Sequence, residues 1–455
     1  MPVKSRPNVV VFLTDQQRWD TTGVSGGGNP LDLTPNFDRM AQEGTHLFNA
    51  FTCQPVCAPA RASLQTGLYA TETGVYRNGI ALPPDMRTLA HHFGDAGYYT
   101  GYIGKWHLAD DRYDGAVPEV QRGGYKYWLA ANLLEFASDA YATTLYDETG
   151  SPVRLPGYRV DALTDVAIRF VDAHQHEPFY LFVSYLEPHH QNHRDDYPAP
   201  DGYAERYTGR WAPPDLITLG GSAAAQLPGY FGMVKRLDEA LGRLRDALRS
   251  LSLRDNTIVL FTSDHGNHFK TRNAEYKRSC HDACIRVPGA LGGPGFEGGG
   301  RLQSLVSLVD LPPTLLDAAG LAVPPEMQGR SLLPLLRGET EGWPGEVFLQ
   351  ISESQVGRAI RTRRWKYSVV APGMRGSEVA GADRYVEECL YDLHADPYEL
   401  TNLIGLESHR EVAAALRARL MRRMVEAGEL APAIEPAPSS GSGGQRRVSL
   451  EEITA

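Results

Sequence analysis

The sequence predicts an α/β fold: a large domain with a doubly wound, mostly parallel sheet, followed by a smaller C-terminal α+β subdomain. Two observations lead to this prediction. Continuous apolar runs, typical of strands covered on both faces, alternate with segments of helical periodicity through most of the chain. After about Leu336 the pattern changes to short strand-like pieces followed by a single helix.

Four apolar runs are predicted to be strands of the large sheet, at residues 8–14, 98–103, 179–184 and 257–262. Helical segments lie between them. The first begins at Thr34-Pro35, where a capping residue precedes a first-turn proline, and ends at Gly44. Two longer helices, each with one apolar face, are predicted at 159–174 and 230–251. This alternation of strand and helix predicts the doubly wound arrangement.

The last part of the chain is predicted to form a small antiparallel sheet with a closing helix. Its strand-like pieces lie at 347–352, 358–362, 365–370 and 390–393, and its helix at 410–426. A Gly-Trp-Pro-Gly stretch at 342–345 suits a linker, and residues 431–446 are rich in proline, serine and glycine. The predicted units are therefore a large domain at 1–340, a C-terminal subdomain at 345–430 and a disordered tail at 431–455.

The composition excludes several classes of protein. With 45 basic and 55 acidic residues the net charge is −10, which makes nucleic acid a poor partner. No run is long enough to span a bilayer and the first residues lack the apolar stretch of a signal peptide, so a cytoplasmic location without membrane attachment is expected. Five cysteines do not make a disulfide framework. The spacing of Cys53, Cys57, Cys280 and Cys284 leaves a four-cysteine zinc site as an alternative.

Polar side chains follow each of the four predicted strands of the large sheet. Asp15 follows the first strand, and Asp264 and His265 follow the last. Lys105 and His189 lie just beyond the other two. Because ligands of open α/β sheets bind at the carboxyl ends of the strands, we expect these acids, histidines and the lysine to share one edge.

The stretch Cys57-Ala58-Pro59-Ala60-Arg61, which continues to Thr66-Gly67, is the most informative in the chain. Pro59 suits the first turn of a helix whose free N–H groups point at an anion beside Cys57. The pattern resembles the mark by which type I sulfatases, of the alkaline phosphatase-like superfamily, direct a cysteine to become formylglycine. The resemblance implies a sulfuric ester hydrolase whose nucleophile is the hydrated aldehyde (3-oxoalanine) at residue 57. It also implies a formylglycine-generating enzyme as a maturation partner.

The resemblance further implies one divalent metal, held by Asp15, Gln16, Asp264, His265 and residue 57. Two positions depart from the family pattern: Gln16 stands where relatives often have a second acid, and His265 where others have asparagine. Oxygen ligands suit Ca²⁺, the expected ion, or Mg²⁺, and the imidazole moves the balance toward Mn²⁺.

The resemblance also assigns the reacting groups. It implies that Arg61, Lys105 and Lys277 balance charge on the sulfate oxygens, Arg61 by a planar fork toward the diol or the sulfate. His189 or Lys277 would protonate the leaving alcohol, and His107 would deprotonate the second hydroxyl of the diol so that sulfate leaves. The catalytic candidates are Cys57, Arg61, Lys105, His107, His189 and Lys277.

A further group of residues is predicted to bind the substrate. Asn78 is a candidate for contact with the sulfate, although its Asn-Gly pair is first a turn signal. His190 is an alternative to His189 for the contact with the ester oxygen that the resemblance implies. The loops at 191–196 and 268–273 follow residues of the predicted edge and carry positive or hydrogen-bonding groups, which suits a pocket for the leaving group. The substrate-binding candidates are Asn78, His190, His193, Arg194, His268, Lys270 and Arg272.

The preferred prediction is a sulfatase acting on a sulfated small molecule or, because of the polar loops, a sulfated saccharide. Two alternatives stay open. A phosphonate monoester or phosphodiester hydrolase of the same superfamily shares the formylglycine mark and the residue types of Gln16 and His265, whereas Lys105 and His107 favour a sulfatase. A non-catalytic binding protein with a zinc-thiolate site would leave Cys57 unmodified.

Overall fold

A mixed sheet organises the larger part of the molecule in the computed structural model, which describes residues 6–441 and Val448. Within that part of the chain the sheet has eleven strands, ordered β11-β2-β10-β8-β1-β7-β3-β4-β5-β6, with β9 paired to β2. The strands are β1 (Asn8–Thr14), β2 (Thr45–Phe51), β3 (Tyr99–Lys105), β4 (Tyr127–Ala131), β5 (Thr143–Tyr146), β6 (Pro152–Leu155), β7 (Phe179–Ser184), β8 (Thr257–Ser263), β9 (Arg286–Val287), β10 (Gly289–Gly292) and β11 (Gly300–Ser307).

The centre of this sheet is parallel. β8, β1, β7, β3 and β4 run in the same direction, and antiparallel pairs lie toward the two sides. Every residue of β1, β7 and β8 is buried, as expected of strands covered on both faces. The predicted α/β class with a mostly parallel sheet is confirmed.

Helices cover both faces of the sheet. One apolar core includes Ala58, Phe93 and Leu315 under one face, and a second includes Phe37 and Leu163 under the other. The helices are α1 (Pro35–Glu43), α2 (Cys57–Thr66), α3 (Ala70–Thr73), α4 (Leu89–Asp95), α5 (Leu134–Ala137), α6 (Arg159–Ala173), α7 (Tyr203–Tyr207), α8 (Pro214–Leu219), α9 (Ala223–Ser250), α10 (Asp282–Ile285), α11 (Leu311–Ala318), α12 (Leu333–Leu336) and α13 (Arg410–Glu426). Among the described residues, no helix is both long and apolar enough to cross a membrane.

The helix α9 begins earlier than the sequence predicts. It starts at Ala223 rather than at Tyr230 and contains Pro228 near its beginning. Ala223 and Leu227 are buried in a cluster with Phe269, so tertiary packing stabilises the turns that the proline would disfavour in isolation.

A second sheet of five strands, in the order β12-β13-β14-β15-β16, forms the C-terminal part of the described chain. Its antiparallel strands β12–β15 and the helix α13 share one apolar core. The strands are β12 (Glu346–Ile351), β13 (Gly357–Thr362), β14 (Trp365–Val370), β15 (Arg384–Asp392) and β16 (Ala433–Glu435). The domain boundaries at 340 and 345 stay a prediction.

The strand β16 lies in the region predicted to be a disordered tail. Tyr385 pairs with Ile434 in a parallel ladder, and Arg384 forms an ion pair with Glu435. The prediction of disorder rests on composition alone. It could not take account of the free edge of β15, whose backbone groups form hydrogen bonds with this part of the tail. Residues 442–447 and 449–455 of the predicted tail lie outside the described part of the chain.

A buried ion cluster joins the two sheets. Lys366 on β14 contacts the carboxylates of Asp282, at the start of α10, and Glu399. The Asp282 carboxylate also accepts a hydrogen bond from Arg361 at 3.1 Å, and its backbone N–H donates to Glu399 at 2.7 Å. All four side chains are almost fully buried, so they depend on one another for charge compensation.

We expect Lys366→Met to lower the free energy of unfolding by about 3 kcal/mol, because it leaves two buried carboxylates short of a cation. Urea denaturation followed by circular dichroism measures this. Arg384→Met, which removes one arginine from an exposed pair with Glu435, is the control and should change stability little. The same loss of stability in both variants would contradict the structural role of the cluster.

Candidate active site

The helix α2 presents Cys57 as its first residue. Pro59 lies in the first turn, and Gly67, in the left-handed conformation at φ 73°, ends the helix. The side-chain oxygen of Asn78 accepts a hydrogen bond of 3.0 Å from the backbone N–H of Ala58. Because the N–H groups of a first helical turn lack partners within the helix, this contact fixes the end that carries Cys57.

Acidic and imidazole groups from two neighbouring strands meet beside Cys57. β1 and β8 pair in register up to Thr14 and Ser263, so Asp15 and Asp264 follow at equivalent positions. Candidate ligand atoms of Asp15, Cys57, Asp264 and His265 all lie within 4.8 Å of one another, and all four residues are buried. The structure thus brings together four of the five predicted metal ligands.

The fifth predicted ligand, Gln16, also faces this region through its backbone, whose N–H donates to Asp264 at 3.1 Å. Its side-chain nitrogen donates to Tyr197 at 3.4 Å, while its Oε1 is buried without a hydrogen-bond partner. A buried carbonyl oxygen usually accepts a hydrogen bond. Because this one has no donor, a bound cation would satisfy it.

The orientation of His265 suits metal binding as well. Its Nδ1 lies 2.9 Å from the carbonyl oxygen of Gly266, which can only accept a hydrogen bond, so Nδ1 carries the proton. Its Nε2, 3.2 Å from the Cys57 sulfur, then has a free lone pair directed into the cluster. Two carboxylates, an amide oxygen and an imidazole are a fitting donor set for one divalent cation.

Arg61 binds the carboxylates of this cluster. Its Nε donates to Asp264 at 3.1 Å and its Nη2 to Asp15 at 3.0 Å. Its Nη1 donates to the Ser184 hydroxyl and the backbone carbonyl of Lys105. These four bonds give Arg61 a supporting role beside the carboxylates and leave one N–H of Nη2 for another acceptor. Its predicted contact with the diol or the sulfate stays a prediction.

The charges of the cluster shift the ionisation of its members. Burial would raise the pKa of Asp15, but Lys105 and Arg61 hold it below its usual value. Burial and the neighbouring Asp15 raise the pKa of Asp264. Burial would also raise the pKa of the Cys57 thiol, yet Lys105 and Lys277 hold it well below its usual value. The site favours negative charge at residue 57.

Three of the predicted catalytic side chains surround Cys57. The Lys277 Nζ lies 2.7 Å from the Cys57 sulfur, 3.2 Å from the Nε2 of His189 and 3.3 Å from that of His265. The Nδ1 of His189 faces the carbonyl oxygen of His190 at 2.7 Å, which leaves Nε2 as the acceptor of a Lys277 proton. The side chain of His107 is near enough to Cys57 to help lower the pKa of the thiol, and its Nδ1 is buried without a partner.

Lys105 has a carboxylate partner that the sequence analysis missed. Its Nζ donates to Asp15 at 2.8 Å and to Glu135 at 2.9 Å, and lies 3.9 Å from the Cys57 sulfur. Burial would raise the pKa of Glu135, but Lys105 lowers it to about 2. Glu135 lies in the short helix α5, away from any predicted strand end, so nothing in the sequence pattern marked it.

The predicted substrate-binding residues divide into two groups. His190 is close to the centre: its ring stacks on that of His189 at 4.3 Å and contacts Tyr276 at the same separation. His268 is fully buried, and its Nε2 lies 3.1 Å from the carbonyl oxygen of Lys277. It therefore contacts the backbone of that lysine. Burial lowers the pKa of His268 to about 4 and keeps its ring neutral.

The other members of that set lie farther out and have protein partners. Lys270 forms an ion pair of 2.8 Å with Asp195, and Arg194 pairs with Asp196 at 3.0 Å. His193 lies 3.8 Å from Asp139. Arg272 donates to the carbonyl oxygen of Tyr398 in the C-terminal part of the chain. The two predicted loops thus form a linked rim above the centre.

The turn between β12 and β13 reaches this centre from the second sheet, which the sequence did not predict. Glu353 accepts a hydrogen bond of 2.7 Å from the backbone N–H of Asn78 and forms an ion pair with Arg278. Ser352 accepts one of 2.7 Å from Gln54 in the loop before α2. The loop that presents Cys57 is therefore held by residues from both sheets.

The alternative of a four-cysteine zinc site is wrong. Among the described residues, the only group of candidate ligands that includes a cysteine is the one around Cys57, with two carboxylates and a histidine. Burial raises the pKa of Cys53 to about 11 and that of Cys284 to about 12, so both stay neutral thiols. Cys280 instead faces Cys389, with the two sulfurs 3.7 Å apart.

Comparison with known proteins decides the family. The family model described as sulfatase matches residues 7–321, and that of the C-terminal part of N-sulphoglucosamine sulphohydrolase matches residues 274–426. The chain belongs to the sulfatase family. The predicted membership and the prediction of a sulfuric ester hydrolase are confirmed.

Individual relatives resemble this sulfatase over most of its length. The ulvan-active sulfatase of Formosa agariphila is 30% identical over 447 residues, which cover 93% of this chain and 82% of that protein. The N-acetylglucosamine-6-O-sulfatase of Bacteroides thetaiotaomicron is 26% identical over 483 residues, which cover 88% of this chain and 83% of that protein.

Solved structures share the fold. A structure from Bacteroides thetaiotaomicron has a TM-score of 0.81 at 23% identity and covers 93% of this chain and 97% of its own. The phosphonate monoester hydrolase of Agrobacterium radiobacter has a TM-score of 0.68 at 24% identity, covering 93% and 96%. At these identities the likeness establishes the fold, and the fold alone does not distinguish a sulfatase from a phosphonate hydrolase.

We expect Gln16→Leu to weaken Ca²⁺ binding by at least about tenfold, because it removes an oxygen ligand from the cluster. Calorimetric titration of the metal-free protein with Ca²⁺, repeated with Mg²⁺ and Mn²⁺, measures this without relying on activity. Gln17→Leu is a matched control: its Oε1 is equally buried and unpartnered, but its backbone N–H binds Ser263 instead of Asp264. Equal losses in both variants would contradict the assignment of Gln16.

Proposed function

We propose that this sulfatase hydrolyses a sulfate ester on a saccharide, with formylglycine formed from Cys57 as its nucleophile and one divalent cation beside it. The observation that carries the proposal is the surrounding of the Cys57 sulfur, where Lys277, His265 and Lys105 lie at 2.7, 3.2 and 3.9 Å. An anion that enters next to residue 57 meets two ammonium groups and the N-terminus of α2.

The proposed cation would be held by Asp15, Gln16, Asp264 and His265, and when bound it would make an oxygen on residue 57 more acidic. The hydrated aldehyde supplies two hydroxyl groups, one to attack sulfur and one to allow sulfate to be released afterwards. A thiol or a serine hydroxyl lacks this second group. Arg61 keeps the two carboxylates in place by binding both.

The remaining side chains supply charge and protons. Lys277 and Lys105 stabilise negative charge on the sulfate oxygens as the bond to the leaving group breaks. Lys277 donates toward the Nε2 of His189, and this pair can deliver a proton to the departing alcohol. His107, one of the groups that hold down the pKa of the Cys57 thiol, would take a proton from the second hydroxyl. These roles follow from which atoms face residue 57.

A saccharide is the proposed leaving group. Two similar enzymes are named for saccharide substrates, ulvan and N-acetylglucosamine 6-O-sulfate. The rim supports the same class, since Asp195 and Lys270 form an ion pair there and Asp195 also accepts a hydrogen bond from the buried Tyr276. Carboxylate and ammonium groups on a rim suit a leaving group rich in hydroxyls.

We expect the peptide containing residue 57 to lose the cysteine sulfur and gain an aldehyde oxygen when the protein is produced together with a formylglycine-generating enzyme. Mass spectrometry of that peptide measures the conversion. The converted protein should then release sulfate from sulfated saccharides faster than it hydrolyses a phosphodiester or a phosphonate monoester. An intact thiol under these conditions would overturn the mechanism, and faster turnover of the phosphorus substrates would favour the alternative hydrolase.

We expect Lys277→Met to lower kcat by about 10²–10³ with a smaller change in KM, because the lysine contacts the reacting residue. Steady-state kinetics with an aryl sulfate measures both parameters. Lys270→Met is the control, since this lysine lies in the same loop but pairs with Asp195 at the rim. A kcat that falls equally in the two variants, or in neither, would contradict the role of Lys277.

A further inference from the structure

A cleft lies along the seam between the two sheets, away from residue 57. Its volume is about 900 Å³, and its walls come from β11, the linker before β12, and the last turns of α13. None of the predicted site residues lines it. The deeper cavity beside it, of about 210 Å³, shares Arg330 and Arg423 with this cleft.

The lining of the cleft is rich in arginine. Five arginines and two glutamates contribute to it, which leaves three positive charges in excess within a chain whose net charge is −10. The arginines are Arg330, Arg363, Arg419, Arg422 and Arg423.

The excess charge is not explained by pairing within the protein. Arg419 and Arg422 both bind the carboxylate of Glu346, and Arg422 and Arg423 share that of Glu426. The side chains of Arg330 and Arg363 form no ion pair with a carboxylate within residues 6–441. Basic residues near the end of α13 complement its helix dipole, but Arg330 and Arg363 come from other segments, so this effect does not account for them. Holding five guanidinium groups around two carboxylates leaves positive charge without a counter-charge, which an anionic ligand would supply.

An aromatic side chain completes the cleft. Trp343 is half-buried in its wall, and its ring nitrogen donates to the carbonyl oxygen of Leu305 at 2.9 Å. This bond fixes the indole and leaves its apolar body at the cleft, where the C–H face of a sugar ring can pack. Guanidinium groups bind the oxygens of sulfate in paired hydrogen bonds. Arginines around a tryptophan therefore suit a sugar that carries sulfate groups.

We propose that this cleft binds a sulfated glycan segment that is not being hydrolysed. The proposal rests on the proposed function for the identity of the polymer. β11, which lines the cleft, is three strands from β8 in the sheet order, a lateral separation of about 14 Å between these two strands. A polymer bound at both places is held by two linked sites, which raises its apparent affinity without changing the chemical step.

The test compares two triple variants of the full-length protein. Arg330→Gln, Arg363→Gln and Arg422→Gln together remove three charges from the cleft. Arg112→Gln, Arg375→Gln and Arg384→Gln remove three charges from other exposed arginines. Fluorescence anisotropy with labelled dextran sulfate, with neutral dextran and duplex DNA as comparisons, measures binding at physiological ionic strength. Hydrolysis of a small aryl sulfate is measured in parallel.

We expect the cleft variant to bind dextran sulfate at least about tenfold more weakly, and the control variant to bind it nearly as the parent does. Neutral dextran should not bind, and turnover of the aryl sulfate should be unchanged in both variants. Equal weakening in the two variants would overturn the proposal in favour of diffuse electrostatic attraction. Tighter binding of DNA than of dextran sulfate through the same arginines would overturn the assignment to a glycan.

The binding readout separates this proposal from the proposed function. Dextran sulfate binding does not depend on residue 57, so a Cys57→Ala protein should bind it as the parent does. Loss of aryl sulfate turnover with intact cleft binding would count against the catalytic mechanism only. Intact turnover with no arginine-dependent binding would count against the cleft only.

Discussion

The guanidinium of Arg61 is the group on which the arrangement of the active site depends. It donates to Asp15 after β1, Asp264 after β8, Ser184 at the end of β7 and the carbonyl oxygen of Lys105 at the end of β3. One side chain on α2 thus joins the ends of four adjacent parallel strands. Because it is buried, loss of any charged partner would leave an uncompensated charge, at a cost on the order of several kcal/mol.

The charges around residue 57 balance as a set. Asp15, Asp264 and Glu135 are matched by Arg61, Lys105 and Lys277, and all six side chains are nearly inaccessible to solvent. A divalent cation would add two positive charges, which a sulfate ester and an ionised oxygen at residue 57 would offset. Binding a cation and an anion together therefore leaves less net charge in the buried site than binding either alone. This suits a centre that admits an anionic substrate into a protein with a negative net charge.

Local sequence patterns predicted the strands and the residues at their ends. An apolar run followed by Asp15, or by Asp264, marks a buried parallel strand and the edge where ligands bind, and the two carboxylates meet because β1 and β8 are in register. Features that depend on distant packing were missed. Glu135 and Glu353 lie outside any motif that the sequence shows. The Arg61 guanidinium binds Asp15 and Asp264, and the spacing between Arg61 and Cys57 in the sequence does not predict these contacts.

The second sheet also bears on how the nucleophile would be formed. Every residue of α2 is buried, and Cys57 has 1% of its surface exposed. Glu353 and Ser352 from the second sheet hold the turn at Asn78 and the loop at Gln54 on either side of the helix. In the folded chain the Cys57 side chain is inaccessible to a second protein, so we expect the proposed conversion to take place before α2 is buried. The packing that orders the active site would then also end the period in which its nucleophile can be made.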